Sequence, residues 1–219
     1  MSDARRGPYR NGVETRARAV DAAVRLFSQN GYRATSMREV AAEIGATHTG
    51  LKHHFPSKEE LLTAVLQYRD EIDDEVVEED LAGGDDRVTA ILHLVRRNAE
   101  RRALIDLFAT LAAEATDPGH PAHAYFDARY RRVTASLTGM FLHLRDEGRL
   151  RSGIEPAWAA RTLVAIMDGL QIQFLYRTAP SVSGDADPEA ATAEEASTEM
   201  PTDLREFLRL ILVDGDTLR

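Results

Sequence analysis

The chain has 219 residues, 43% apolar and 29% charged, with a formal net charge of −9. This is ordinary globular composition, and the length suits one large domain or a small domain joined to a larger one. Cysteine is absent, which excludes disulfides, thiolate metal sites and thiol nucleophiles.

The charge is uneven. Residues 1–60 carry a net +3 and residues 61–219 a net −12, so only the N-terminal end suits a polyanion. No apolar run approaches the roughly 18 residues of a membrane span. The basic start MSDARRGPYRNG lacks the apolar segment of a secretion signal. A cytoplasmic location is expected, with no membrane partner.

Ala17, Val20, Val24 and Phe27 recur at helical spacing, and Asn30-Gly31 closes that helix. Ser36-Met-Arg-Glu39 is a capping box opening a short helix with Met37, Val40, Ala41 and Ile44 on one face. Gly45 breaks it, and Thr47 caps a third helix through Phe55. Ser57-Lys-Glu-Glu60 is a second capping box, starting a helix to about residue 79 with Leu61, Val65, Tyr68 and Ile72 inward. The body then reads as helical throughout. Val88, Ile91, Leu92 and Val95 begin one stripe that Ile105, Phe108 and Leu111 extend or follow. After the break at Asp117-Pro-Gly-His-Pro121, Phe126, Tyr130, Val133, Leu137, Met140 and Leu144 form a regular stripe. Pro156 opens a helix carrying Leu163, Ile166, Met167, Leu170 and Phe174. Residues 179–201 are acidic and low in complexity, and predict a flexible loop. Leu204, Phe207, Leu208 and Ile211 mark a last helix. No alternating strand pattern of any length occurs, so the expected class is all-α: a three-helix helix-turn-helix head over 12–58 and a helical bundle over 59–219.

The chemistry concentrates in the third helix. With Leu51 inward, Thr47, His54 and Phe55 fall within about 60° of it at 100° per residue, while Thr49 and His53 point away. Lys52 and Gly50 flank the outward face, and His48 sits at its exposed tip. Small, hydrogen-bonding and cationic groups of this kind suit a DNA major groove. A metal reading is weaker, because the three histidines do not share an i, i+3 or i, i+4 face. Arg5, Arg6 and Arg10 either enter a minor groove or remain a solvated tail.

The run LFSQNGYRATSMREVAAEIGATHTGLKHHFPSKEELL resembles the DNA-binding head of the TetR (tetracycline-repressor-like) family. The resemblance implies that Ser36 and Arg38 touch phosphate and base edges, and that His48, Thr49, Gly50 and Lys52 present the groove-facing set; helical phase adds outward His53, and the free N–H groups at the Thr47 end suit a phosphate. It also implies that Lys58 binds phosphate. Members often carry tyrosine where Lys52 stands, so operator preference does not carry over. The fragments EATDPGHPAHAYFDARYRRV and LVAIMDGLQIQFLY resemble the body of the BetI-like branch, without carrying over choline as a ligand. The expected function is a transcriptional repressor that binds a palindromic double-stranded operator as a homodimer and is released by an unknown small-molecule effector. Helices near 156–177 and 202–213 are the expected dimer contact.

Phe108, Leu111, Phe126, Tyr130, Met140, Met167 and Phe174 are candidate walls of the effector pocket, though a stripe at helical spacing is first of all core. Asn98, Glu114, Arg129, Asp168 and Gln171 are polar residues set among apolar ones. One alternative is a regulator without an effector. Another is a metal-binding sensor or enzyme using Glu114, Asp117, His120 and His123, against which Pro118, Gly119 and Pro121 place the histidines on a surface turn. No enzyme activity, cofactor or bound metal is expected.

Overall fold

The computed structural model describes residues 8–179 and 193–213, with side chains placed over 12–179 and 198–213. The described residues form helices α1 (Pro8–Asn30), α2 (Met37–Glu43), α3 (His48–His54), α4 (Lys58–Ala82), α5 (Arg87–Ala99), α6 (Arg102–Glu114), α7 (His123–Asp146), α8 (Pro156–Arg177) and α9 (Ala193–Ile211). The class is all-α, with one isolated antiparallel bridge between Leu150 and Leu212. Among the described residues no helix is long and apolar enough to cross a membrane.

Short helices need caps because four N–H groups at each N-terminus lack internal acceptors. In α2 the Ser36 hydroxyl accepts from the Glu39 amide at 3.3 Å, and the Glu39 carboxylate accepts from the Ser36 amide at 2.6 Å. Thr47 caps α3 by accepting from the Gly50 amide at 3.0 Å. Ser57 caps α4 through the Glu60 amide at 3.1 Å. Gly31 and Gly45 turn the chain with φ of 82° and 67°, which residues with a Cβ rarely adopt.

Two cores hold the molecule. The first joins the head to the body: Val20, Phe27, Val40, Leu51 and Phe55 pack with Leu61, Leu62 and Leu66 of α4 and with Leu107, Phe108, Leu111 and Phe126. The small head therefore gains much of its burial from α4, α6 and α7. The second gathers α5, α7, α8 and α9, with Ile105 of α6, around Leu92, Phe141, Leu163, Leu204 and Leu208.

The body stripe divides at Glu100 and Arg101, so that the stripe of α6 follows that of α5 rather than extending it. Three expectations need correction. Tyr68, expected inward, is exposed; Leu61 and Val65 are buried as expected, and the buried side of α4 continues through Leu66, Arg69, Asp73, Val76 and Asp80. Residues 193–201, expected to be loop, belong to α9, because Met200 extends the stripe of Leu204, Leu208 and Ile211 and is 3% exposed. The alanines and glutamates that look low in complexity are also strong helix formers. Finally, α1 starts at Pro8, so Arg10 lies on a helix rather than on a free arm. Arg5 and Arg6 lie outside the described residues, as do 180–192 of the expected loop.

Candidate functional site

The structure brings the head residues to one surface. Ser36, Arg38, Thr47, Thr49, Lys52 and His53 are exposed, and His48 and Gly50 are half-buried beside them. Leu51 points inward and is fully buried. A Cβ at Gly50 would meet Thr47 Oγ1 at 3.1 Å, so glycine there preserves the cap as well as a low profile. His54 is half-buried and lies 3.7 Å from the position a Cβ would take on Gly12. The three histidines thus part company as the helical arithmetic requires.

The head is braced from behind. Arg18 donates to the Ile44 carbonyl at 2.6 Å, Arg25 pairs with Glu43 at 3.2 Å, and buried Thr35 donates to the carbonyls of Leu26 and Gly31. Lys58 is already engaged: its ammonium donates to the Arg33 carbonyl at 3.1 Å and stands 4.3 Å over the Tyr32 ring. Burial lowers its pKa despite Glu59 and Glu39. Burial together with the charge of Glu59 pushes Tyr32 up to about 12.

His120 corrects the expectation of a surface turn. It is buried at 5% exposed, edge-on to Tyr32 at 6.0 Å, and its Nδ1 accepts from the Ala122 amide at 3.2 Å. His123 Nδ1 bonds the Ala115 carbonyl at 2.8 Å, and Asp117 accepts from the Gly119 amide at 2.9 Å. These groups serve the turn between α6 and α7. Among the described residues, the one group with metal-ligand spacing is elsewhere, at Asp80, Asp85 and His93.

In the body, α4, α5, α7 and α8 line a partly open cavity of about 390 Å³, large enough for a small molecule. One wall is apolar, with Val77, Leu81, Ile91, Leu94, Leu137, Val164 and Met167. The other carries Arg69, Asp70, Asp73, Asn98, Arg129, Arg132, Asp168 and Gln171. Of the seven candidate walls named from sequence, only Met167 lines it. Phe108, Leu111, Phe126 and Tyr130 pack in or against the first core, and Met140 and Phe174 sit in the second. Four of the five embedded polar residues do line it, and Glu114 does not. Arg69, Asp70, Asp73 and Arg132 are additions that sequence reasoning missed; for Arg69 and Asp73 the available signal was charge on the inward stripe of α4.

The polar wall is a linked network. Arg129 donates to Asp70 at 2.8 Å, Tyr125 donates to the same carboxylate at 2.7 Å, and Arg132 is also bonded to it. Burial opposes ionisation of Asp70, but Arg129, Tyr125 and Arg132 outweigh it and hold the carboxyl below its usual range. Arg69 pairs with Asp73 at 3.5 Å, reaches Gln171 at 3.5 Å and stacks on Phe108 at 4.3 Å. Burial dominates at Asp73 and raises its pKa, and its Oδ1 is buried without a hydrogen-bond partner. Asp168 accepts from Tyr130 at 2.9 Å and is likewise raised by burial. The wall thus holds one buried acceptor, Asp73 Oδ1, without a donor, and among the described residues no aromatic ring lines the cavity.

Residues 19–65 match the family described as bacterial regulatory proteins, tetR family. Residues 85–199 match the C-terminal family described as BetI-type transcriptional repressor. The transcriptional repressor KstR2 of Rhodococcus jostii is 26% identical over 154 residues, covering 70% of this chain and 66% of KstR2, just under two thirds of that protein. A TetR transcriptional regulator from Chloroflexus aurantiacus is 25% identical with a TM-score of 0.71, covering 93% of this chain and 98% of that one. A transcriptional regulator from Saccharomonospora viridis, solved in complex with choline, shares the fold at a TM-score of 0.73 and 20% identity, covering 91% of this chain and 98% of that one.

Proposed function

Because this chain belongs to the TetR family of helix-turn-helix regulatory proteins, we propose that it represses transcription as a homodimer on a palindromic operator and is released by a small molecule bound in the body cavity. The observation that carries the reading is the outward face of α3. Thr49, Lys52 and His53 stand exposed on a helix locked by the Thr47 cap. Ser36 and Arg38 stand exposed at the opening of α2. These are donors, acceptors and positive charge on an otherwise acidic chain, as groove and phosphate contact requires. Lys58 reaches a phosphate only by sharing an ammonium that now bonds Arg33, so we assign it a supporting part. The head spans 12–58 and the body begins with α4, which both share.

Dimerisation is supported by apolar surface the monomer leaves uncovered. On α8, Trp158, Ile172 and Tyr176 are 45%, 48% and 81% exposed, with exposed Ala165 at the seven-residue spacing between Trp158 and Ile172. Leu210 on α9 and Val213 just after it are 73% and 60% exposed. A two-fold contact through these helices presents two heads to half-sites about 34–36 Å apart.

Release works through α4. Its first turns lie in the head core at Leu61, Leu62 and Leu66, while Arg69, Asp70 and Asp73 line the cavity. A ligand that favours one setting of α4 biases the spacing of the heads, which is the differential binding that allostery needs. The matching ligand has an apolar body and a hydrogen-bond-donating end that satisfies Asp73 Oδ1. A choline-like quaternary ammonium fits poorly, since it donates no hydrogen bond and finds no aromatic cage.

The test is a DNA-binding titration on the upstream region of the protein's own gene at several salt concentrations. Lys52→Ala is expected to change sequence preference and to lower affinity at least about fivefold, one good base contact being worth about 1–3 kcal/mol. If Lys52→Ala and Thr49→Ala both bind every sequence as the parent chain does, α3 is not the reading helix.

A further inference from the structure

We propose that the corner joining α4 to α5 is a binding site for a divalent first-row transition cation, held by Asp80, Asp85 and His93. The site lies outside the effector cavity and does not depend on the regulatory reading. Asp80 ends the buried stripe of α4. Gly84, at φ 100°, reverses the chain, and the Asp85 amide then donates to the Asp80 carbonyl at 3.1 Å, which brings the two aspartates together. Asp86 caps α5 through the Thr89 amide at 2.9 Å, and His93 follows two turns later, facing back to the corner.

The ligand atoms are already in place. His93 Nδ1 is 3.4 Å from Asp80 Oδ2 and 3.2 Å from Asp85 Oδ2, and all three atoms lie within 4.8 Å of one another. Atoms that bind a cation at about 2.0–2.2 Å in a tetrahedral arrangement sit roughly 3.3–3.6 Å apart. Asp80 supplies an independent sign. Its side chain is 9% exposed, and its Oδ2 is buried with no hydrogen-bond partner, although a buried carboxylate oxygen normally has one. Its other oxygen accepts from Arg97 at 2.6 Å. That contact orients the carboxylate from behind, as outer groups do around metal ligands.

One imidazole nitrogen with two carboxylates suits zinc, cobalt, nickel or manganese, with a position left for water. His93 and Asp85 are 31% and 38% exposed, so an ion can enter and the site exchanges with solvent. Binding ties the end of α4 to α5. A protonated His93 bridging both carboxylates would show the same distances without any metal, and the experiment separates the two.

The metal-stripped full chain is titrated with Zn²⁺ by calorimetry and with Co²⁺ by visible absorption. The expected result is one saturable equivalent per chain, a cobalt spectrum of nitrogen and oxygen ligands, and a thermal midpoint that rises with Zn²⁺. His93→Ala and Asp85→Asn change half-exposed side chains and leave the fold intact. Each is expected to weaken Zn²⁺ binding by about 100-fold or more and to remove the thermal shift. His53→Ala, on the exposed face of α3, is expected to change neither. The proposal is overturned if the parent chain shows no saturable Zn²⁺ binding, if His93→Ala binds as the parent does, or if His53→Ala is the change that removes binding.

Discussion

The outward face of α3 and the polar wall of the body cavity use polar side chains in opposite ways. On α3, Thr49, Lys52 and His53 stand in water, and the cap at Thr47 does the local structural work. In the cavity, Arg69, Asp70, Asp73 and Arg129 are tied to one another under low exposure. A surface group can trade water for a phosphate or base at little cost in folding. A cavity group carries folding and ligand recognition together, so changing one disturbs both.

The largest test of that contrast is Arg129→Met. Its guanidinium pairs with Asp70 at 2.8 Å and Asp73 at 3.8 Å, and removing it leaves Asp70 to Tyr125 and Arg132 and Asp73 to Arg69. The expected loss by urea unfolding is about 3 kcal/mol, the lower end of the cost of breaking a buried pair from one side. Lys52→Ala should stay within about 0.5 kcal/mol of the parent, as exposed substitutions do. Equal losses would erase the distinction.

The same contrast decides how much was legible in the sequence. Caps and helical phase are local, so Ser36, Thr47 and the outward direction of Thr49 and His53 could be read from residues within one or two turns. The cavity depends on partners far apart in the chain. Arg129 meets Asp70 across 59 residues and Arg69 meets Gln171 across 102, and no local pattern encodes those meetings. The aromatic stripe of α6 and α7 was legible as apolar, but whether Phe108 and Phe126 line a cavity or fill a core is decided by how the helices pack. His120 shows the reverse error. A proline- and glycine-rich turn reads as surface, yet Tyr32 of the head covers it.

Within the cavity, Asp70 and Asp168 sharpen the comparison by titrating in opposite directions. The folded pKa of Asp70 is lowered, so its stabilisation is present above the unfolded value of about 4 and is lost as pH falls through the folded value. The folded pKa of Asp168 is raised, so it contributes stability below about 4 that is lost as pH rises through the folded value. Asp70→Asn should lower the neutral-pH melting temperature and flatten the acid side of the stability curve. Asp168→Asn should hold or raise the neutral-pH value while weakening effector binding. Melting curves from acid to neutral pH read both, and parallel shifts in the two variants would show that burial and pairing do not separate them.

The most local expected effect lies back on α3. Thr47→Ala removes the acceptor that holds the Gly50 amide at 3.0 Å, at a cost of about 1 kcal/mol. In a helix of 7 residues that loss falls on the first turn, where His48, Thr49 and Gly50 face outward, because propagation gains little over so short a length. Hydrogen exchange should therefore quicken at the amides of α3 and remain unchanged in α8. Operator affinity should fall by more than the global stability does, since binding must then also order the frayed turn. Uniform faster exchange across both helices would mean that the cap stabilises the whole molecule rather than the reading surface.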